Sequence, residues 1–111
     1  MTINELHIQL TCPFCKADIM YPIQFRYGYV RLIAYRLGDK IRWDSHEHDI
    51  GQPGWKRVVV NGWTGFCPNC KSTEDWDEDY YIFVEDDVIK GAEVADGRYG
   101  FKDDDFLLLE E

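Results

Sequence analysis

The chain has 111 residues, 45% of them apolar, with four Trp, seven Tyr and six Phe. That is too apolar for disorder throughout, and the length allows one domain with a small core. The net charge of −9 is uneven: residues 1–66 carry eight Lys/Arg against six Asp/Glu, and residues 67–111 carry four against fifteen. So acidic a back half works against nonspecific contact with DNA, RNA or anionic lipid, and it suits a basic protein partner.

The N-terminal run has Asn4, Glu5 and His7 in it and does not read as a signal peptide. No apolar stretch approaches the length of a membrane span. The expected location is therefore cytoplasmic, where thiols stay reduced.

In chain order, Leu6, Ile8 and Leu10 alternate with His7 and Gln9, which predicts a half-buried strand over Ile3 to Leu10. It leads into Cys12-Pro13-Phe14-Cys15. After a polar turn at residues 16–18, a second strand is expected over residues 19–27. Pro22 cannot donate to a ladder, so it places that strand at an edge or bends it. Residues 29–37 fit either period; their aromatic and β-branched content favours a strand. Leu37-Gly38-Asp39-Lys40 predicts a hairpin turn into Ile41-Arg42-Trp43. Residues 44–55 hold the turn formers Ser45, Asp49, Gly51, Pro53 and Gly54 and predict a loop.

A short buried strand is expected over residues 57–60. Asn61-Gly62 is the strongest hairpin signal in the chain, since both residues tolerate positive φ. Residues 63–66 then return to deliver Cys67-Pro68-Asn69-Cys70. Beyond an acidic loop over 71–79, strands are expected over 80–84 and 88–94, with Gly91 marking a bulge, and a further short one over 99–101. Turns are expected at 85–87 and 95–97, and a charge run at 103–105 precedes an apolar stretch over 106–109. Short pieces at regular spacing predict a mostly β fold.

All four cysteines lie in two Cys-Pro-x-Cys pairs, 12–15 and 67–70. Two residues between thiolates let one tight turn aim both sulfurs at one ion, and proline helps to shape that turn. Two such turns make a tetrahedral four-sulfur cage, which suits one structural zinc held by Cys12, Cys15, Cys67 and Cys70. Such a cage also admits iron. A redox dithiol normally opens a helix in a βαβ unit, and none is expected after Cys15 or Cys70. Cysteines simply buried in a core are the remaining reading.

Three further features compete with plainer explanations. His46 and His48, with Asp44 beside them, form a second metal site only if that stretch is extended; a polar loop is the plainer reading. Arg26, Arg31, Arg36, Lys40 and Arg42 interleave with Phe25, Tyr27, Tyr29, Tyr35 and Trp43, a pattern that stacks bases when the rings face solvent and builds a core when they do not. The acidic groups at Glu74-Asp75, 77–79, 85–87 and 103–105 are solvated turns, or else docking sites for a basic surface; they lack the spacing and glycine of a calcium loop. No Ser/His/Asp or Cys/His arrangement and no glycine-rich phosphate loop points to an enzyme.

The two Cys-Pro-x-Cys knuckles, each entered from an expected strand, resemble those of the zinc-ribbon or rubredoxin-like superfamily. The likeness covers the knuckles and their flanks. It implies a small antiparallel sheet domain over 1–111 built on a two-knuckle ribbon, with a long β insert (19–66) between the knuckles and an acidic C-terminal segment (71–111). The stretch from Tyr35 to Trp43 also resembles that of small bacterial proteins with the same knuckles, which implies no activity. The expected function is non-enzymatic: a zinc-binding protein acting on a protein partner, in one version immunity- or antitoxin-like. The alternatives are a nucleic-acid-binding ribbon using residues 25–43, then a redox or metal-dependent enzyme.

Overall fold

The computed structural model describes residues 3–44, 49–64, 67, 69, 78–102 and 104–111. Among them are seven strands and no helix: β1 (Asn4–Thr11), β2 (Asp18–Phe25), β3 (Ala34–Tyr35), β4 (Arg57–Thr64), β5 (Asp79–Glu85), β6 (Val88–Val94) and β7 (Phe106–Glu110). They form one sheet in the order β3-β1-β2-β4-β5-β6, with β7 also on β4. β7 pairs with the first half of β4, and β2 pairs with its last residues, Gly62 to Thr64.

The sheet is strongly curled, and chain length shows why. Six strands laid flat would span about 24 Å at the usual spacing. Yet Tyr35 lies on β3 at one end, and Gly38, three residues on, donates to Ile89 C=O of β6 at the other end. Three residues reach at most about 11 Å. Ile89 N–H to Asp39 C=O (2.9 Å) and Ile41 N–H to Asp87 C=O (2.7 Å) complete the strap. Inside the curl lies the main core, including Leu6, Ile23, Phe25, Tyr27, Tyr35, Val58, Val60, Tyr80, Ile82 and Ile89. Those on β1, β2, β4 and β5 are alternate residues along each strand, as a one-sided sheet requires.

The expected β1 and β2 are present in a continuous register from Asn4↔Phe25 to Thr11↔Asp18. β4 joins β2 only from Ile23 onward, so Pro22 precedes that ladder and leaves no bond of it unmade. The bulge expected near Gly91 is present: the register shifts between Phe83↔Gly91 and Val84↔Ile89, leaving Lys90 as the extra residue.

Four expectations are corrected. Residues 29–37 form only the two-residue strand β3, which is parallel to β1. The cause is Asn4, fully buried in β1. Its Oδ1 accepts from the N–H groups of Arg31 (3.1 Å) and Ile33 (3.0 Å), and its Nδ2 donates to the carbonyls of Tyr27 (3.3 Å) and Tyr29 (3.0 Å). One amide therefore satisfies four backbone groups, and the segment needs no ladder. Its continuation, Ile41-Arg42-Trp43, forms no strand either; it is tied in by the bonds of the strap.

Asn61-Gly62 makes no hairpin, because β4 runs straight through it. Glycine is needed there for space. A Cβ on Gly62 would sit 2.9 Å from Ile23 Cγ2 and 3.1 Å from Ile82 Cδ1. The tight two-residue turn lies instead at Asp86-Asp87, with φ of +50° and +66°, between the paired Glu85 and Val88. Positive φ at both positions is the type I′ geometry that suits strand twist.

Finally, residues 99–101 form no strand. The Tyr81 hydroxyl accepts from the N–H groups of Gly97 (2.9 Å) and Tyr99 (3.1 Å) and so anchors this segment as a loop. The loop lays Tyr99 and Phe101 against Tyr81 on the face of β5 opposite the main core.

Candidate metal centre

The first cysteine pair lies in the connection of the β1–β2 hairpin. The ladder ends at Thr11↔Asp18, closed by Thr11 Oγ1 donating to Asp18 Oδ1 at 2.6 Å. Lys16 N–H donates to Cys12 C=O (2.9 Å), and Cys12 N–H donates to Ala17 C=O (3.0 Å). Lys16 takes the left-handed conformation, with φ of +62°, and this reverses the chain within a short loop. The turn brings the thiols of Cys12 and Cys15 to one side.

Cys67 arrives from the far end of the insert, three residues after β4 ends beside Ile23. Its sulfur and those of Cys12 and Cys15 all lie within 4.8 Å of one another. Cys15 Sγ and Cys67 Sγ are 3.8 Å apart, far beyond the about 2.05 Å of a disulfide. The distance does match a tetrahedral cage, since bonds of about 2.3 Å from zinc to sulfur give edges of about 3.8 Å.

Cys12 and Cys67 are buried and pack with Tyr21 in a small cluster flanked by Leu10 and Ile19, while Cys15 is partly exposed. Asn69, from the second pair, donates Nδ2–H to Cys15 Sγ at 3.5 Å. Amide donors of this kind orient a sulfur ligand and temper its charge. Three soft donors in an apolar pocket form a group that can hold a metal ion, whose charge would offset the repulsion among thiolates. Cys70, the fourth ligand expected from sequence, lies outside the described residues. So do His46 and His48, Glu74 and Asp75, and Asp77 and Asp103 of the acidic runs.

The basic and aromatic residues of 25–43 do not form one platform. Phe25, Tyr27 and Tyr35 are core residues with at most 2% exposure, and Trp43 packs edge-on against Tyr27. Arg26 approaches Asp105 at 4.0 Å. Arg31 extends over the half-buried Tyr29, 5.9 Å from its centroid. Arg31, Arg36 and Lys40 remain exposed cations, but three of the five rings that would stack with bases are inside the curl.

Sequence reading missed Asn4 and Tyr81, whose buried polar groups organise distant loops. For Asn4 a signal was present: it shares the face of Leu6, Ile8 and Leu10, so a polar residue was being placed in the core.

No protein-family model, curated protein or solved structure matches the chain. Among the described residues, no helix is long and apolar enough to cross a membrane.

Proposed function

We propose that this is a non-enzymatic zinc protein in which Cys12, Cys15, Cys67 and Cys70 hold one structural zinc, and that it acts by binding another protein. The carrying observation is the convergence of Cys12, Cys15 and Cys67, from turns far apart in sequence, to within 4.8 Å of one another. Cys70 is assigned as the fourth ligand by its spacing from Cys67. A set of four thiolates leaves no coordination position for substrate or water, which makes the ion a staple in the manner of a zinc ribbon. Zinc is favoured over iron as the common occupant of such a cage in a small, stapled domain.

The protein-binding part rests on charge. The back half carries fifteen carboxylates against four cations, which suits a basic surface and opposes phosphate backbones. Burial of Phe25, Tyr27 and Tyr35 weighs further against base stacking. A narrower version is an immunity- or antitoxin-like protein that covers a basic site in a reducing, cytoplasmic setting.

Elemental analysis of protein purified without added metal tests the first part. It should give about one zinc per chain, with loss on Cys12→Ser, Cys67→Ser or Cys70→Ser. Metal-free protein with a cycling disulfide would overturn it, and visible thiolate-to-iron absorption would replace zinc with iron. Cross-linking in the native host tests the second part by recovering a protein partner. Salt-sensitive retention on single-stranded RNA, lost in Arg31→Ala with Arg36→Ala, would instead establish the nucleic-acid reading.

A further inference from the structure

Where β4 ends, β5 begins and β6 ends, the sheet opens into a groove of about 440 Å³. Cys67 follows from this same end of β4. Asn61, Glu78, Asp79, Tyr81, Tyr99 and Phe101 line the groove, and among the described residues no Lys or Arg lines it. We propose that it is a docking site for an arginine side chain presented by a basic protein partner. This rests on the protein-binding reading above and names the chemistry of its partner.

The walls are aromatic and set in advance. Tyr81 is buried, with its ring 5.1 Å from that of Tyr99 and 6.1 Å from that of Phe101. Its hydroxyl holds the backbone of Gly97 and Tyr99, so the rings are ordered before any ligand arrives. Ring faces attract a guanidinium, and carboxylates at the same place supply its counter-charge. Glu78 and Asp79 bring both charges to the groove.

The molecule already displays this chemistry once. The Arg98 guanidinium lies over Tyr99 (5.4 Å) and Tyr81 (5.8 Å), and it pairs with Asp96 (2.9 Å) and Glu93. Arg98 is not among the groove's lining residues, so the same rings serve an internal arginine beside an open acidic recess. Arginine fits better than lysine because its flat cation stacks on a ring while its edge hydrogen-bonds carboxylates.

The test uses the full chain with its metal and a capped tri-arginine peptide, followed by fluorescence anisotropy at low ionic strength, with a tri-lysine peptide beside it. The wild type should prefer tri-arginine. Asp79→Asn should weaken binding, and Tyr99→Leu, which keeps apolar bulk but removes the ring face, should weaken it about 2- to 30-fold. Glu110→Gln with Glu111→Gln removes charge at the exposed C-terminus and should change little. Equal affinity for both peptides, with the terminal variant as damaging as Asp79→Asn, would mean diffuse attraction and overturn the groove. Absence of binding by the wild type would overturn it too. The parent reading fails separately. If a partner cross-links equally well to wild type and Tyr99→Leu, the groove is overturned and the partner stands; if the wild type recovers no partner in the host, both are lost.

Discussion

Asn4 shows how much one amide can organise. It spends its whole hydrogen-bonding capacity on the backbone of residues 27–33, where the chain passes through Leu32 at φ of +56°. Removing it would strand two N–H and two C=O groups in or near the core. Each such loss costs about 1–3 kcal/mol when water cannot substitute. Asn4→Ala should therefore lower stability by about 3 kcal/mol or more in urea unfolding. Asn4→Asp keeps the acceptor but faces two carbonyls with lone pairs, so it should fare no better. A loss below about 1 kcal/mol would show that the segment is held by other contacts. Gly62 makes a different point at the same scale. Its role is close approach, so Gly62→Ala pushes a methyl against Ile23 and Ile82 and should cost about 1–3 kcal/mol. If it stabilised the fold, the packing account of β4 would be wrong.

At the scale of elements, the β5–β6 turn sets two neighbouring aspartates in the same left-handed region but gives them different work. Asp86 contributes its backbone N–H to Lys56 C=O, a bond independent of its side chain. Asp87 is nearly buried; its carboxylate accepts from Gly54 N–H at 3.1 Å, and its carbonyl accepts from Ile41 N–H in the strap. Asp86→Gly should thus relieve backbone cost and add a few tenths to about 1 kcal/mol. Asp87→Gly relieves the same cost but orphans Gly54 N–H, and should lose about 1–2 kcal/mol. Thermal unfolding of the two variants checks the opposite signs; a shift in the same direction for both would refute the division of roles. The turn also shows what could be read in advance. β1, β5 and the β6 bulge follow from alternation and from one glycine, which are local signals. That Cys12 and Cys15 lie close together follows from Cys-x-x-Cys spacing, also local. Asn61-Gly62 misled because glycine for a turn and glycine for packing look alike in one dimension. Residues 29–33 and 99–101 misled because their backbone partners are the side chains of Asn4 and Tyr81, remote in sequence. The groove was hidden for the same reason: its walls come from three strands and from a loop whose backbone bonds to the Tyr81 hydroxyl.

For the whole molecule, the curl converts a one-sided sheet into a closed core, and it puts tyrosines where charge is hard to bear. Tyr27, Tyr35 and Tyr80 all belong to that core. Burial raises the pKa of each above the ordinary phenol range. Nearby Asp87 adds to the effect at Tyr27, and Glu78 adds to it at Tyr80, while the Arg42 N–H bonded to the Tyr35 hydroxyl partly offsets it there. Unfolded, these phenols lose their protons near pH of about 10; folded, they keep them beyond it. Above that pH the native state therefore binds more protons than the unfolded state, and stability falls as pH rises. The contribution is complete below pH of about 10 and disappears as pH climbs through the raised folded-state values. Alkaline titration should show the phenolate absorbance of these three tyrosines rising together with the loss of strand circular dichroism, in one cooperative step. Tyr27→Phe removes the group pushed furthest and should move that step to higher pH. Phenolate absorbance that rises fully and reversibly while the strand signal persists would mean that water reaches these hydroxyls in the folded state. The strap at residues 38–41 would then be opening under native conditions, and the curl would not be the closed core that the three bonds to Asp87 and Ile89 describe.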